Sequence, residues 1–286
     1  MDRFTNDGFT FEVTDTPPAD GDAAGRVAVL LHGFPEDHHS WDAVTPALAA
    51  AGYRVLAPDQ RGYSPGARPV RRSAYPLSRL AGDVLALADA AGAQRFHLVG
   101  HDWGAAVAWY LAGRHPHRLA SVAALSVPHP EAFARAFAVS DQALRSWYMA
   151  AFQVPRLPEL VLARGGGETM RTALIRAGLD PASAARYAAR AADPAAMRGP
   201  LNWYRALPLS LRERVGRIGV PTLFMWSDGD RFVSRTAAER CGRLVSGPYR
   251  FEVVEGASHW LPEEVPERVS ASLVRHFARA RAFPGR

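Results

Sequence analysis

The sequence predicts an α/β chain built on a mostly parallel sheet flanked by helices, with one inserted helical stretch. Three observations carry that prediction. Short β-rich runs alternate with helical patterns through both ends of the chain, as βα units do. The alternation stops after Val127-Pro128-His129-Pro130 and resumes only near Val220-Pro221. Between the two ends of the first half, Gly100-His101-Asp102-Trp103-Gly104 joins a predicted strand directly to a predicted helix.

In order along the chain, the β-rich runs are Phe9 to Val13, Val27 to Leu31, Tyr53 to Ala57, Phe96 to Val99, Ser121 to Leu125, Thr222 to Trp226 and Tyr249 to Val254. Helical patterns fill the gaps near Trp41 to Ala51, Leu77 to Ala91, Ala105 to His115, Arg235 to Leu244 and Glu264 to Ala280. The interrupting stretch is rich in Ala, Arg and Leu and is punctuated by Gly165-Gly166-Gly167, Asp180-Pro181 and Asp193-Pro194, which reads as several short helices. The expected division is a core over residues 1–128, a helical cap over 129–207 and the rest of the core over 208–286.

Composition narrows the function classes. At 286 residues and 48% hydrophobic content the chain can bury a substantial core. No apolar run approaches the roughly 20 residues of a membrane span, and the N-terminus lacks the basic-then-apolar order of a signal peptide, so a cytoplasmic protein without a membrane partner is expected. Cys241 is the one cysteine, so no intrachain disulfide can form. The formal charge of +6 comes entirely from arginine, without a single lysine, a pattern of GC-rich coding. Acids and prolines interrupt the arginines and no aromatic-studded basic stripe appears, so nucleic acid is not an expected partner.

The Gly-flanked turn has the form of a nucleophile elbow, with aspartate where serine is usual. The strained reversal from strand to helix leaves no room for side chains two residues either side of the apex, and Gly100 and Gly104 supply that room. Aspartate is ionised at neutral pH without a base. It can displace at an electrophilic sp3 carbon, giving an alkyl ester that a histidine-activated water then hydrolyses. Three supporting parts are then required. Leu30-Leu31-His32-Gly33-Phe34-Pro35 follows a predicted strand and would aim the Phe34 amide at the elbow, forming an oxyanion hole with the Trp103 amide. His259, in Gly256-Ala257-Ser258-His259-Trp260 between the last strand and last helix, can reach over the same sheet edge as the water-activating base. Asp228 and Asp230, in Trp226-Ser227-Asp228-Gly229-Asp230, are rival orienters of that histidine. His32, His101 and His129 read as loop supports. His38-His39 and His115/His117 lack a partner cluster of acids or cysteines, so no metal is expected.

With these motifs the chain resembles the α/β-hydrolase superfamily over nearly its full length, and within it the epoxide hydrolases. His32-Gly33-Phe34-Pro35, Asp59-Gln60-Arg61-Gly62-Tyr63-Ser64, Gly100-His101-Asp102-Trp103-Gly104 and Gly256-Ala257-Ser258-His259-Trp260 carry the resemblance. It implies an α/β-hydrolase fold, a cis Pro35, and Asp230 rather than Asp228 as the triad acid. It also implies two cap tyrosines that protonate the opening epoxide oxygen. Tyr204, in Leu201-Asn202-Trp203-Tyr204-Arg205, is similar to one, and Tyr148, four residues before Phe152-Gln153, to the other. An apolar pocket lined by His32, Pro35, Trp103, Trp147, Phe152, Trp203 and Trp260 would take a small hydrophobic or aryl epoxide, with no cofactor or metal, in a monomer or homodimer. Two alternatives are carried: a haloalkane dehalogenase sharing the Asp-Trp elbow, for which Phe34 replaces the frequent Asn halide donor, and a catalytically idle binding protein on the same fold.

Overall fold

The computed structural model describes residues 1–21 and 26–281; residues 22–25 and 282–286 of the two expected core segments lie outside the described residues. An eight-stranded sheet runs in the order β1-β2-β4-β3-β5-β6-β7-β8. Its strands are β1 (Arg3–Asn6), β2 (Phe9–Thr16), β3 (Val27–Leu31), β4 (Arg54–Pro58), β5 (Phe96–His101), β6 (Leu119–Leu125), β7 (Thr222–Ser227) and β8 (Tyr249–Val254). The pairs β1–β2 and β2–β4 are antiparallel and every later pair is parallel.

Strand β1 was not expected from its mixed polarity. Its signal is the Asp7-Gly8 turn that joins it to β2, with φ of 50° and 77°, the pair of positive values that tight hairpins favour. Strand β5 also runs to His101, and the following helix starts at Trp103 rather than near Ala105. The whole reversal is made by one residue, Asp102, at φ 49° and ψ −117°.

Helices α1 (Thr45–Ala50), α2 (Leu77–Ala90), α3 (Trp103–Arg114), α12 (Arg235–Arg240) and α14 (Pro266–Arg281) cover the sheet. Strand alternation divides the core between its two faces. Val29, Leu31 and Leu98 pack with Leu80 and Leu87 of α2 and Val107 and Leu111 of α3. Ala28, Leu30 and Val99 pack with Leu48 of α1 and Leu273 and Phe277 of α14. Between β6 and β7 lie the inserted helices α4 (Pro130–Val139), α5 (Gln142–Arg145), α6 (Trp147–Ala151), α7 (Leu157–Ala163), α8 (Glu168–Arg176), α9 (Pro181–Ala191), α10 (Pro194–Arg205) and α11 (Leu207–Ser210). Helix α11 begins at Leu207, the residue where the cap is expected to end. The later inserted helices have a core of their own around Met170, Leu174, Tyr187, Met197 and Leu201. Asp180 and Asp193, read as punctuation, start α9 and α10 by accepting from Ala182 and Ser183 N–H and from Ala195 N–H. A short helix (Leu261–Glu264), α13, precedes α14.

Strand β3 lies between β4 and β5; the connection leaving β3 runs to β4 on one side, whereas that leaving β5 runs to β6 on the other. The carboxyl ends of β3 and β5 therefore mark a switch point, where open α/β sheets place their ligands. Three glycines permit the chain to close there. A Cβ on Gly100 would lie 2.2 Å from the Gly104 carbonyl oxygen, one on Gly104 would lie 2.2 Å from that of Leu31, and one on Gly33 would lie 2.4 Å from Asp102 Cβ. Backbone cannot retreat from such contacts. Gly100→Ala is expected to lower unfolding free energy by about 3 kcal/mol or more, measured by urea denaturation, whereas Gly92→Ala, with open space around it, should lose less despite its φ of 73°.

Candidate active site

Four loops leaving parallel strands converge at this edge. Asp102 follows β5, and its Oδ1 accepts the Phe34 N–H at 2.8 Å from the loop after β3. The Phe34–Pro35 peptide is cis. Trp103 is the first residue of α3, where backbone N–H groups have no acceptor within the helix. His259 follows β8; its Nε2 lies 3.5 Å from Asp102 Oδ2 and its Nδ1 2.7 Å from Asp230 Oδ2. Asp230 follows β7 and is buried, its second oxygen accepting from Phe232 N–H at 2.7 Å and Val233 N–H at 3.0 Å. These backbone bonds leave only Oδ2 to face the imidazole. Asp228 is exposed, and its Oδ1 accepts the Gly256 N–H at 2.7 Å, bracing the loop that bears His259.

Asp102 and His259 open into a cleft of about 680 Å³, lined also by Trp103, Tyr148, Tyr204 and Phe232. Tyr148 stands on α6 and Tyr204 on α10, with ring centroids 6.0 Å apart. Tyr204 meets Trp103 edge-on at 5.1 Å and Phe34 at 5.2 Å. The Phe-Gln pair after Tyr148 has a structural task. Gln153 Nε2 donates to the Tyr204 carbonyl at 2.9 Å, and Arg205 Nε donates to the Phe152 carbonyl at 3.0 Å, so the two tyrosine-bearing helices are tied at their ends.

Of the residues expected to line the pocket, only Trp103 does so. Trp147 is 70% exposed on the outer side of α6; neighbours on a helix are about 100° apart, and Tyr148 takes the inward position. His32 is buried behind the site, where its Nε2 accepts from Gln60 N–H at 3.2 Å. The Trp203 indole donates to the Arg61 carbonyl at 2.8 Å, anchoring α10 to the Asp59–Ser64 loop. Trp260 joins the core of the inserted helices, and Phe152 packs edge-on against Tyr148 and Tyr204. Pro35 likewise does not line the cleft. Sequence resemblance identified aromatic residues near the site, but which side of a short helix faces inward depends on packing.

The family model described as the alpha/beta hydrolase fold matches residues 27–266. Epoxide hydrolase A of Mycobacterium tuberculosis is 37% identical, with 89% of this chain and 91% of the relative covered. The AB hydrolase superfamily protein YfhM of Bacillus subtilis is 36% identical, covering 96% of each. The crystal structure of Epoxide Hydrolase A from Mycobacterium thermoresistibile superposes with a TM-score of 0.80 at 30% identity, covering 97% of both chains. The chain belongs to the epoxide hydrolase family of the α/β-hydrolase superfamily.

In this epoxide hydrolase family member, burial opposes ionisation of Asp102. The His259 hydrogen bond and charge outweigh it, with help from His101 and the Phe34 N–H, and hold the carboxyl below its ordinary pKa. Burial likewise opposes a charged His259, yet Asp230 and Asp102 together push its pKa up to about 10. Burial, then the Asp102 carboxylate, pushes Tyr148 well above the usual phenol range; burial and Tyr148 do so first for Tyr204. Both phenols therefore keep their protons at neutral pH as donors.

A second buried layer was not anticipated in sequence. Glu36, which directly follows the His-Gly-Phe-Pro motif, accepts the Gly33 N–H at 2.6 Å and bonds His101 Nδ1 at 3.0 Å. His101 Nε2 donates to the His259 carbonyl at 2.9 Å, and Ser126 Oγ donates to the same oxygen at 2.7 Å. His101, beside Asp102, thus holds the loop that bears His259. The acids missing from the reading of His38 and His39 are also present: His38 Nδ1 bonds Asp59 at 2.9 Å and His39 Nδ1 bonds Asp42 at 2.8 Å. Asp37 lies with these histidines closely enough to form a metal-compatible group, so that reading is corrected. Both Nδ1 atoms are already paired with carboxylates.

Replacing Asp230 with Asn should lower turnover by about 10⁴-fold through the wrong histidine tautomer. Asp228→Asn should change it by only a few-fold, as steady-state kinetics on an epoxide would measure.

Proposed function

We propose that this protein opens an epoxide to a vicinal diol through an ester on Asp102. The observation that carries the reading is the convergence of an ionised, Gly-flanked Asp102, a carboxylate-oriented His259, the buried Tyr204 and the half-buried Tyr148 on one apolar cleft. The helices of residues 129–207 act as its cap in this reading.

Asp102 attacks one ring carbon, the C–O bond breaks, and the electrons pass to the epoxide oxygen. Tyr148 and Tyr204 hydrogen-bond that oxygen and deliver a proton as its charge develops. Their raised pKa values bring them toward the alkoxide they serve. The product is a hydroxyalkyl ester whose formation removes the Asp102 charge. His259 then keeps one of the two carboxylates that raised its proton affinity and becomes a better base. It passes its proton to the phenolate, then takes a proton from water as the water oxygen attacks the ester carbonyl; Phe34 and Trp103 N–H groups receive the tetrahedral oxyanion, collapse expels the alkoxide, which takes the proton from His259, and the acid proton left on Asp102 returns to His259, restoring the carboxylate and freeing the diol. Tyr204 and Tyr148 support this reaction over displacement of a halide, because the Phe34 side chain has no N–H and packs against Tyr204. An idle binding protein would have no use for the alignment of Asp102, His259 and Asp230.

His259→Gln should trap the ester. Incubated with an epoxide, it should gain the mass of the whole epoxide at Asp102 by intact-protein and peptide mass spectrometry. A gain of an alkyl group from an alkyl halide alone would move the assignment to dehalogenation, and no adduct with any epoxide would overturn the proposed chemistry. Tyr204→Phe should slow ring opening about 10²-fold or more with much less effect on ester hydrolysis. In the parent protein, lowering pH should protonate His259 in the ester and make that intermediate accumulate, while ring opening persists because Asp102 stays ionised; rapid-quench mass spectrometry separates the two steps.

A further inference from the structure

One acid that takes no part in the proposed reaction stands against another in the interior. Glu263 lies on α13, four residues after His259, and Glu36 on the loop after β3. Glu36 is fully buried; Glu263 is half-buried, with its Oε2 out of solvent. The Tyr187 hydroxyl, from α9, donates to Glu263 Oε1 at 2.9 Å. The Gly33 N–H donates to Glu36 Oε2 at 2.6 Å. His101 Nδ1 lies 2.9 and 3.0 Å from the two Glu36 oxygens, with Oε2 along its hydrogen-bond direction. That leaves one buried oxygen on each acid, Glu36 Oε1 and Glu263 Oε2, without a hydrogen bond from any N–H or hydroxyl. The two carboxyls meet and bond each other.

Two carboxylates in contact away from water cannot both ionise unless a cation stands between them. Among the described residues, no arginine pairs with either acid: Arg190 of α9 donates to the Pro35 and Glu36 main-chain carbonyls and to Asp37. His101, from β5, faces Glu36 alone. The other titratable neighbours are Tyr187, and His32, Asp37 and Tyr63 on the Glu36 side. His38 and His39, in the turn packed against α13, bond Asp59 and Asp42, and Glu264 bonds Ser258. One proton between the two acids removes the conflict. Its resting place follows from the partners, because hydrogen bonds that favour a charged carboxylate gather on Glu36, from Gly33 and His101, whereas Glu263 receives a single phenol. Burial, then the Glu36 charge, accordingly holds the Glu263 carboxyl well above the ordinary carboxylate range.

We propose that Glu263 carries one proton shared with Glu36, its Oε2 donating to Glu36 Oε1, and that this bond makes Glu263 a positioning residue. It fixes Glu36, which holds the loop of Phe34 through the Gly33 N–H and the loop of His259 through His101. Tyr187 gives the inserted helices a hold on the same bond. The positioning role rests on the reading that the Phe34 N–H and His259 serve ester hydrolysis; the shared proton does not.

Glu263→Gln tests it, because the amide keeps a donor for Glu36 and an acceptor for Tyr187 but cannot ionise. Infrared difference spectra of the full chain at neutral pH, parent minus Glu263→Gln, should show the C=O stretch of a protonated carboxyl group; absence of that band would overturn the shared proton. An acid that keeps its proton when folded and loses it when unfolded costs the parent stability as pH rises above 4.5, its ordinary value. The melting temperature of Glu263→Gln relative to the parent should therefore climb by about 3 °C or more between pH 5 and pH 8. A difference that stays constant would also overturn the proposal. In steady-state turnover of an epoxide at neutral pH, Glu263→Gln should stay within about twofold of the parent, whereas Glu263→Leu should fall about tenfold. Equal turnover in all three would refute the positioning role. A parent that opens no epoxide would overturn the reaction and that role together, while the infrared and melting measurements still decide the proton.

Discussion

Everything at this sheet edge depends on three backbones meeting at Asp102 with no side chain between them. Gly33, Gly100 and Gly104 make that approach possible, and the resulting φ of 49° at Asp102 is a conformation that a non-glycine residue adopts at a cost of about 1–3 kcal/mol. The surrounding structure offsets that cost. The apex is buttressed from below by the fully buried β3 and β5 and from above by the Phe34 N–H. Strain and support have one consequence: the carboxylate cannot rotate away from its neighbours. A carboxylate proposed as a nucleophile needs no deprotonation but does need direction, and here the backbone supplies it.

Electrostatics then follow from how few partners are shared. His259 sits between two carboxylates, one on each ring nitrogen. Asp230 is committed by two backbone N–H groups to facing the imidazole, while Asp102 is, in the proposed chemistry, the partner whose charge is consumed. The same geometry therefore describes two different histidines. In the proposed reaction it favours an imidazolium beside the ionised Asp102 before ring opening; afterwards, with one carboxylate converted to a neutral ester, it would favour release of the proton. Glu36 extends this economy one layer deeper. By holding Gly33 N–H and His101, which in turn holds the His259 carbonyl, it joins the oxyanion loop to the histidine loop.

The parts legible in sequence are those governed by local rules. Strand β3 and strand β8 appear at the expected residues because apolar runs flanked by turns define them, and the elbow is visible because only glycine can stand at Gly100 and Gly104. Asp228 and Asp230 illustrate the limit. They are two residues apart with the same chemistry, and the difference lies in where Gly256, Phe232 and Val233 N–H groups point, which is a property of the assembled loops. Strand β1 escaped because its pairing is decided by the Asp7-Gly8 turn more than by its own residues. The pocket was least legible of all. Trp147 and Tyr148 are adjacent aromatics on a helix of only five residues, too short for periodicity to show which one faces inward.

That same shortness shapes how the two phenols are held. Helix α6 cannot orient Tyr148 by its own length, so the orientation comes from ties to α10: Gln153 to the Tyr204 carbonyl, and Arg205 to the Phe152 carbonyl and to the buried Glu159 at 2.6 Å. Helix α10 is itself moored to the core by Trp203 and by Asn202, whose Nδ2 donates to the Val70 carbonyl at 3.0 Å. The two tyrosines thus reach Asp102 through a chain of side-chain to backbone bonds, whereas Asp102 and His259 follow strand ends. If the tyrosines deliver the proton as proposed, that delivery is the adjustable part of the site. A shift of α6 that leaves Asp102 untouched would move the Tyr148 phenol relative to Tyr204, and in the proposed reaction that would change which epoxides open.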